Sequence, residues 1–418
     1  MNKESRDGLT AISYIGDGAV LLAFDVDRKK IDINRLAGFS ILCQTPKAGP
    51  YPTNRYFLRN KMGFAAAAST GDKENQDLGS DKAPFQSFHW IHVPGAGPGK
   101  YRYTIFARYF AQGVGADLEW GPQVTLKVDL RYRRFDKIEV GFTRGYVSAQ
   151  AFSDRFTNAD LRPKPRCIDY DTKPYQKAYE WLGAHARRCT WLFLRGATRW
   201  WLPRRIDVFA YDLDDPDVIA ALCKAGKRAR VFLDDYSNGK PDDNPGHGPG
   251  SLEDAAAKRL QQAGVQVRRG HFSRFSHSKV FILRKGTTPY CVLTGSANFS
   301  IRGLCVQSNN VIVLRHQAAA QAYGRVFDEV WANTGKLQDS GDVAAAFRKS
   351  PMSREWHVVE TKPFHQGPKL AVAFSPHKKT KEKDESPFTL DTIARAVKAA
   401  SHSVLFAVMQ SGGGPVYD

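Results

Sequence analysis

Residues 275–310 hold the sequence feature that most constrains the fold, a polar motif directly ahead of an apolar run. His277 and Lys279 are two positions apart, so in an extended strand their side chains project from the same face. Residues 280–283 are all apolar, which predicts a buried strand, and residues 290–294 predict the strand that returns after a turn. The pattern indicates a β-hairpin with an imidazole and an ammonium at one end.

A loop of small and polar residues follows the returning strand, from Gly295 to Asn298. In a hairpin, this loop and the His277 motif lie at the ends of neighbouring strands, so the imidazole, the Lys279 ammonium and the Asn298 amide can meet. Such a set suits phosphoryl chemistry, because a histidine can attack phosphorus while lysine and asparagine donors hold the oxygens that gain charge. The alternative is an ordinary hairpin with an exposed histidine and lysine.

The stretch resembles the phospholipase D superfamily, whose signature is H-x-K, four residues, D, and then G-S-x-N. The resemblance is carried by five residues, which are His277, Lys279, Gly295, Ser296 and Asn298. The sequence departs from this signature in two ways. Arg284 occupies the position of the family aspartate. The gap before Gly295 is longer than usual, which predicts an enlarged hairpin turn.

The resemblance implies an αβαβα sandwich in which two H-x-K motifs face each other across one cleft. One histidine forms a phosphohistidine, and the other protonates the leaving oxygen and then activates water. His277 would take one of these roles, Lys279 and Asn298 would hold phosphoryl oxygens, and Ser296 with Gly295 would support the loop. No metal or cofactor is implied. The chain has one such motif, so we expect it to be incomplete alone, its partner coming from missing C-terminal sequence or a second protomer.

Other residues are weaker candidates for substrate contact. Arg284 could still contact phosphate if it faces the cleft, and His271 is expected near the motif, although a surface or satisfied histidine is the default for it and for His247. A long polar loop after residue 233 suggests a rim or lid. The candidate substrate-binding residues are Arg284, His271, Tyr236 on that loop, and Trp200 and Trp201. The two tryptophans lie among arginines and could stack bases or simply pack under the sheet.

The charge of the chain points to a polyanionic partner. The net charge is +19 with a pI near 9.6, which favours nucleic acid or an anionic membrane surface, unless it serves solubility alone. The composition, 42% hydrophobic and 25% charged, is that of a soluble globular protein. No apolar stretch is long enough to span a bilayer, so nucleic acid, DNA or RNA, is favoured over a membrane.

The cysteines and the N-terminus indicate a cytoplasmic protein. The six cysteines are widely spread and none forms a C-x-x-C pair, which argues against a zinc site and for a reducing compartment. The first residues lack the apolar run of a signal peptide.

The pattern of strands and helices predicts several domains. Residues 1–156 read as an all-β sandwich, similar to immunoglobulin or fibronectin type III modules, and residues 157–174 as a proline-rich linker. Strands alternating with helices over residues 175–334 predict the first phospholipase D-like α/β repeat. Residues 335–418 read as the start of a second, incomplete repeat.

The sequence therefore predicts a metal-independent phosphodiesterase, a nuclease acting through a phosphohistidine. The rival interpretations are a phospholipase or phosphatidyl transferase, which the same chemistry would serve, and a catalytically silent polyanion-binding member, which the Asp-to-Arg change at position 284 would permit.

Overall fold

The computed structural model divides into two units, Met1–Arg133 and Arg134–Asp418. The residues that the structure describes are 2–46, 53–60, 62–64, 78–111, 117–132, 134–198, 204–236, 246–273, 275–334, 341–360, 370–377 and 388–404.

The first unit is built from antiparallel strands. They are β1 (Asn2–Arg6), β2 (Leu9–Ile15), β3 (Val20–Val26), β4 (Leu36–Gln44), β5 (Arg55–Phe57), β6 (Arg59–Asn60), β7 (Leu78–Gly79), β8 (His89–His92), β9 (Gly99–Phe110) and β10 (Leu118–Leu130). One four-stranded sheet has the order β1-β2-β3-β8, another has the order β10-β9-β4-β5, and β6 pairs with β7. Alternate residues such as Leu22 and Tyr103 enter one core shared by the two larger sheets, as in a β-sandwich. Likeness to immunoglobulin or fibronectin modules stays a prediction.

The boundary between the units differs from the predicted one. Residues 134–156 contain β11 (Arg134–Phe135), β12 (Ile138–Phe142) and a helix, α1 (Gln150–Phe156). β12 pairs antiparallel with a strand of the second unit, and Phe152 is buried in the second unit's core. The second unit therefore begins at residue 134, so the predicted boundary at 156 is wrong. Alternation of apolar and polar residues shows that one face of a strand is buried, but it does not show which sheet the strand joins.

The second unit is organised around one mixed sheet. The strands are β13 (Arg204–Ala210), β14 (Ala229–Leu233), β15 (Gln266–His271), β16 (Val280–Lys285), β17 (Thr288–Gly295), β18 (Asn310–Leu314) and β19 (Gly341–Asp342). With β11 and β12 their order is β11-β12-β18-β17-β16-β13-β14-β15-β19. β13, β14, β15 and β19 are parallel neighbours, whereas the pairs from β13 through β16, β17 and β18 to β11 are antiparallel.

Helices cover both faces of this sheet. They are α2 (Gln176–Thr198), α3 (Pro216–Ala225), α4 (Leu252–Gln262), α5 (Gln317–Thr334) and α6 (Ala344–Phe347). Val208 of β13 is buried against α2 and α3, and its neighbour Phe209 is buried on the other face with α5. Because successive side chains of a strand point to opposite faces of the sheet, β13 contributes to one core on each face. The result is a helix–sheet–helix layering, which agrees with the α/β class predicted.

The predicted linker packs onto the second unit. Leu161 contacts its core, Ile168 is buried in it, and Arg162 donates to the Asp214 carboxylate at 3.0 Å. Residues 157–172 are therefore an ordered part of this unit.

The C-terminal part contains a two-stranded antiparallel sheet and a helix. These are β20 (His357–Glu360), β21 (Leu370–Val372) and α7 (Phe388–Lys398). An incomplete second repeat over residues 335–418 stays a prediction. Within the described stretches, no helix combines the length and apolar character that a bilayer crossing requires.

Candidate active site

A cleft of about 820 Å³ opens at one edge of the second unit's sheet. β13 and β14 are parallel, so Tyr211 and Asp234, which directly follow them, emerge at the same edge. β16 runs antiparallel to β13, with Val280 opposite Phe209, so the H-x-K motif just before β16 arrives at that edge too. The cleft is lined by Arg162, Arg166, Tyr211, Asp212, Asp214, Gly246, His247, Gly250, Ser251, Leu252, Glu253, His277, Lys279, Ser296, Asn298, Ser300, Arg302, Gln307, Ser308 and Asn309.

His277 is held among aromatic rings at the cleft. Its imidazole lies edge-on to Tyr211 with ring centroids 4.5 Å apart, and the Phe275 ring is 5.4 Å away. Burial, followed by the nearby Lys279 charge, lowers the pKa of His277 below its ordinary value. The imidazole is therefore neutral at neutral pH and carries the lone pair that a nucleophile needs.

Lys279 is buried beside it, only 5% exposed. Its Nζ donates to the carbonyl oxygen of His277 at 2.7 Å and lies 4.9 Å from the Tyr211 ring centroid. Burial lowers the pKa of Lys279 to about 8, and the carboxylates of Asp212 and Asp234 oppose that shift. The ammonium is thus mostly charged at neutral pH, and its remaining N–H groups are available to an anion.

Asn298 completes the predicted triplet on the cleft wall. It is 8% exposed, and its Nδ2 donates to the Asp212 carboxylate at 2.6 Å. Among the described residues its Oδ1 has no hydrogen-bond partner. One Nδ2 proton is left over after the Asp212 bond, which lets the amide donate to a bound oxygen.

The glycine and serine of the motif shape the loop. Gly295 has φ of +140°, and a Cβ there would collide with the carbonyl oxygen of Asn310. The Ser296 hydroxyl accepts a hydrogen bond from the Asn310 backbone N–H at 3.0 Å. Glycine is therefore required for the close approach of two strands, and serine ties the loop to β18.

A buried network around His247 lies in the same cleft and was not predicted. His247 hydrogen-bonds through Nδ1 to Asp234 at 2.8 Å and through Nε2 to Asp212 at 3.1 Å, with Glu253 4.0 Å away. Burial opposes charging of the ring, but these carboxylates outweigh it and raise the pKa of His247 to about 9. The imidazolium therefore holds Asp212, the partner of Asn298, in place.

The charge state of His247 gives a stability prediction. Because its pKa is raised from 6.5 to about 9, its stabilising contribution is complete below pH 6.5 and is lost as the pH rises through about 9. We expect His247→Asn to cost roughly 2 kcal/mol below about pH 6.5, and the difference in Tm from the native protein to narrow towards about pH 10.

Thermal unfolding of both proteins across that range measures the effect. His402→Asn, at an exposed histidine, is the matched control and should follow the native curve. A gap in Tm that stays constant with pH would contradict a charged His247.

Within the described residues, two groups of side chains have donor atoms close enough for a cation. In the cleft, the ligand atoms of Asp212, His247 and Glu253 all lie within 4.8 Å of one another. The protonated imidazole already supplies a positive charge there. The other group is Glu139, His185 and Cys189, where Arg315 also pairs with Glu139 at 2.7 Å. In both groups a protein cation faces the carboxylates.

Arg284 does not line the cleft. It is buried on the α5 side of the sheet, where it pairs with Asp207 and, at 3.0 Å, with Asp328. Arg230 joins the network through Asp207 at 2.7 Å. The suggestion that Arg284 contacts substrate is wrong, because position 284 shares a strand face with Val280 and Ile282 in the core against α5.

Two of the remaining weak candidates, His271 and Tyr236, fall outside the lining. His271 pairs with Asp235 at 2.8 Å, and Tyr236 packs its ring 5.8 Å from His271, but neither residue lines the cleft. Trp200 and Trp201 lie outside the described residues.

The H-x-K spacing recurs at His377, but no G-S-x-N loop follows it, so the sequence has one H-x-K motif with its G-S-x-N loop. The Nδ1 of His377 lies 3.0 Å from the Ser353 carbonyl oxygen and its Nε2 2.9 Å from the Thr389 hydroxyl. It does not line the cleft of His277, and the lysine two positions on lies outside the described residues.

Comparisons with known proteins agree with the motif. Residues 202–331 match the family described as cardiolipin synthase, PLD-like domain, and this segment contains every residue of the motif. These residues therefore belong to the phospholipase D superfamily. No curated protein matches the chain.

Several solved structures resemble part of the chain. Nuc from Salmonella typhimurium, a phospholipase D family member, is 23% identical with a TM-score of 0.26, covering 35% of this chain and 87% of its own. NucT from Helicobacter pylori is 14% identical with a TM-score of 0.27, covering 35% and 91%. Polyphosphate kinase from Porphyromonas gingivalis is 15% identical with a TM-score of 0.28, covering 44% and 32%.

Proposed function

We propose that the chain is a phosphodiesterase that cleaves nucleic acid without a metal, through a phosphohistidine formed on His277. The observation that carries the proposal is that His277, Lys279 and Asn298 line one cleft. His277 and Lys279 lie just before the first strand of the motif hairpin, and Asn298 lies in the loop after the second. A neutral imidazole stands beside an ammonium and an amide, which is the donor set that phosphoryl transfer requires.

The chemistry proceeds in two displacements. The neutral imidazole of His277 attacks phosphorus, a P–N bond forms, and the P–O bond to the leaving group breaks while that oxygen takes a proton. Water then loses a proton and attacks the phosphohistidine, which breaks the P–N bond and restores the imidazole. Lys279 and Asn298 donate to the non-bridging oxygens, whose charge rises in both transition states.

The proton for the leaving group comes from a second histidine. His247 is poorly suited, because both of its ring nitrogens are already bonded to carboxylates. The proposal therefore requires a second histidine from another H-x-K motif, which a second copy of the chain can contribute.

The net charge of +19 favours a polyanion as the substrate. A phosphatidyl transferase is the second candidate, since the matching family is described as cardiolipin synthase and the chemistry is the same. A silent binding protein has less support, because Arg284 lies away from the cleft and removes nothing from it.

A substrate panel tests this function. The full chain is incubated with labelled single- and double-stranded DNA and RNA, and with phosphatidylcholine and phosphatidylglycerol vesicles, with and without EDTA. We expect the dimer, in which a second copy can supply the other histidine, to cleave nucleic acid whether or not EDTA is present, and the monomer to be inactive. Lipid turnover without nucleic-acid cleavage would favour the transferase, and binding without turnover in either the monomer or a dimer would favour the silent protein.

A further inference from the structure

Three arginines line the cleft beside the motif, and they differ in how their charge is compensated. Arg162 is paired with Asp214 at 3.0 Å. Arg166 and Arg302 are exposed, and in the described part of the chain neither forms an ion pair. The cleft wall therefore presents two cations whose charge no carboxylate of the described residues neutralises.

The two segments that carry these cations are held by one buried carboxylate. Asp214 accepts from Arg162, four residues before Arg166, and from the backbone N–H of Ile301, next to Arg302, at 2.9 Å. Arg166 also lines an adjoining hollow of about 330 Å³ with Val306, in the helical turn that begins at Arg302. The common anchor places both arginines on the same side of the cleft.

Another part of the cleft lining is acidic. It contains Asp212 and Glu253, together with Ser251 at the start of α4. An additional phosphate beside these residues would approach carboxylates, whereas on the arginine side it would meet two exposed guanidinium groups, which bind phosphate oxygens well.

We propose that Arg166 and Arg302 form a second phosphate subsite, which binds the phosphate next to the one attacked by His277. The substrate is then a strand with consecutive phosphodiesters, and it runs from the motif towards the arginine side. The inference rests on the proposed function, because it takes the motif as the site of the attacked phosphate.

A binding experiment tests the subsite without requiring turnover. One fluorescent probe is an oligothymidylate of about ten nucleotides, and the other has the same length but a single charged phosphodiester among neutral methylphosphonates. We expect the full chain to bind the fully charged probe about 10-fold more tightly, with a salt dependence that the double variant Arg166→Ala/Arg302→Ala makes shallower by about two charges.

The double variant should bind both probes with nearly equal affinity. Arg325→Ala, at an exposed arginine of α5 that does not line the cleft, is the matched control and should behave as the native chain. Unchanged discrimination in the double variant would overturn the subsite, as would failure of the native chain to prefer the charged probe. Either outcome would reject only the subsite if Lys279→Met still weakened binding of the singly charged probe, because the proposed function would then stand without it.

Binding to phosphatidylglycerol vesicles is measured in parallel, because a lipid surface is the alternative ligand for these arginines. If the double substitution weakened vesicle binding and left oligonucleotide binding unchanged, the arginines would serve a lipid surface and the nucleic-acid subsite would be rejected.

Discussion

His277→Asn is expected to reduce turnover of nucleic acid by about 10⁴-fold or more in the assembled, active protein, while Kd for the substrate changes little. Asparagine keeps a polar group of similar reach, but its amide has no lone pair basic enough to attack phosphorus. The loss should therefore appear in kcat. Fluorescence polarisation measures Kd separately and should show little change. Acid-quenched reactions with labelled substrate should contain an acid-labile phosphoprotein only when His277 is present.

His271→Asn is the matched control for this experiment. His271 belongs to the same unit but pairs with Asp235 and does not line the cleft, so its replacement should leave turnover unchanged. Robust metal-dependent cutting by His277→Asn would disprove the mechanism.

Replacement of Lys279 by methionine should harm both binding and turnover. The side chain is buried at the cleft, so the substitution keeps the volume and removes the charge that holds the phosphate in the ground and transition states. We expect Kd to rise about 10-fold and kcat to fall by about 10² to 10³, as for the loss of one preorganised donor. Loss of kcat alone would mean that Lys279 acts only in the transition state.

The lowered pKa of Lys279 adds a signature in binding. Since the ammonium loses its proton as the pH rises through about 8, oligonucleotide affinity of the native chain should fall between about pH 7 and pH 8.5. Lys279→Arg keeps its charge through this interval and should give a flatter curve. A native affinity that does not vary over the interval would contradict a charged, phosphate-binding Lys279.

The hairpin and the α/β unit could be predicted because their signals are local. The apolar run at 280–283 lies within β16, and the returning residues 290–294 lie within β17. The start of α3 also follows from local chemistry, because Pro216 suits the first turn of a helix and Asp215 accepts from two backbone N–H groups of that turn.

The rest of the cleft depends on which strands become neighbours. Tyr211 and Asp212 follow an apolar strand, a position that could have suggested a site, since residues at the ends of parallel strands meet at one edge. His247 could not be placed in this way. It belongs to a long polar loop, and only the fold brings it to two carboxylates from different strand ends.

The ion-pair network behind the sheet has a consequence for how relatives of this chain are found. Arg284 stands where the motif has aspartate, while the carboxylate that balances it, Asp207, comes from the neighbouring strand 77 positions earlier. Position 284 is therefore constrained by charge balance with Asp207 and not by a requirement for aspartate itself. Aspartate at position 284 would add a carboxylate beside Asp207 and Asp328 and leave Arg230 as the remaining cation of this described network, so a partner position would have to change with it. Motif searches that insist on the aspartate would pass over chains of this kind, whereas searches for an acid–base pair across these strands would retain them.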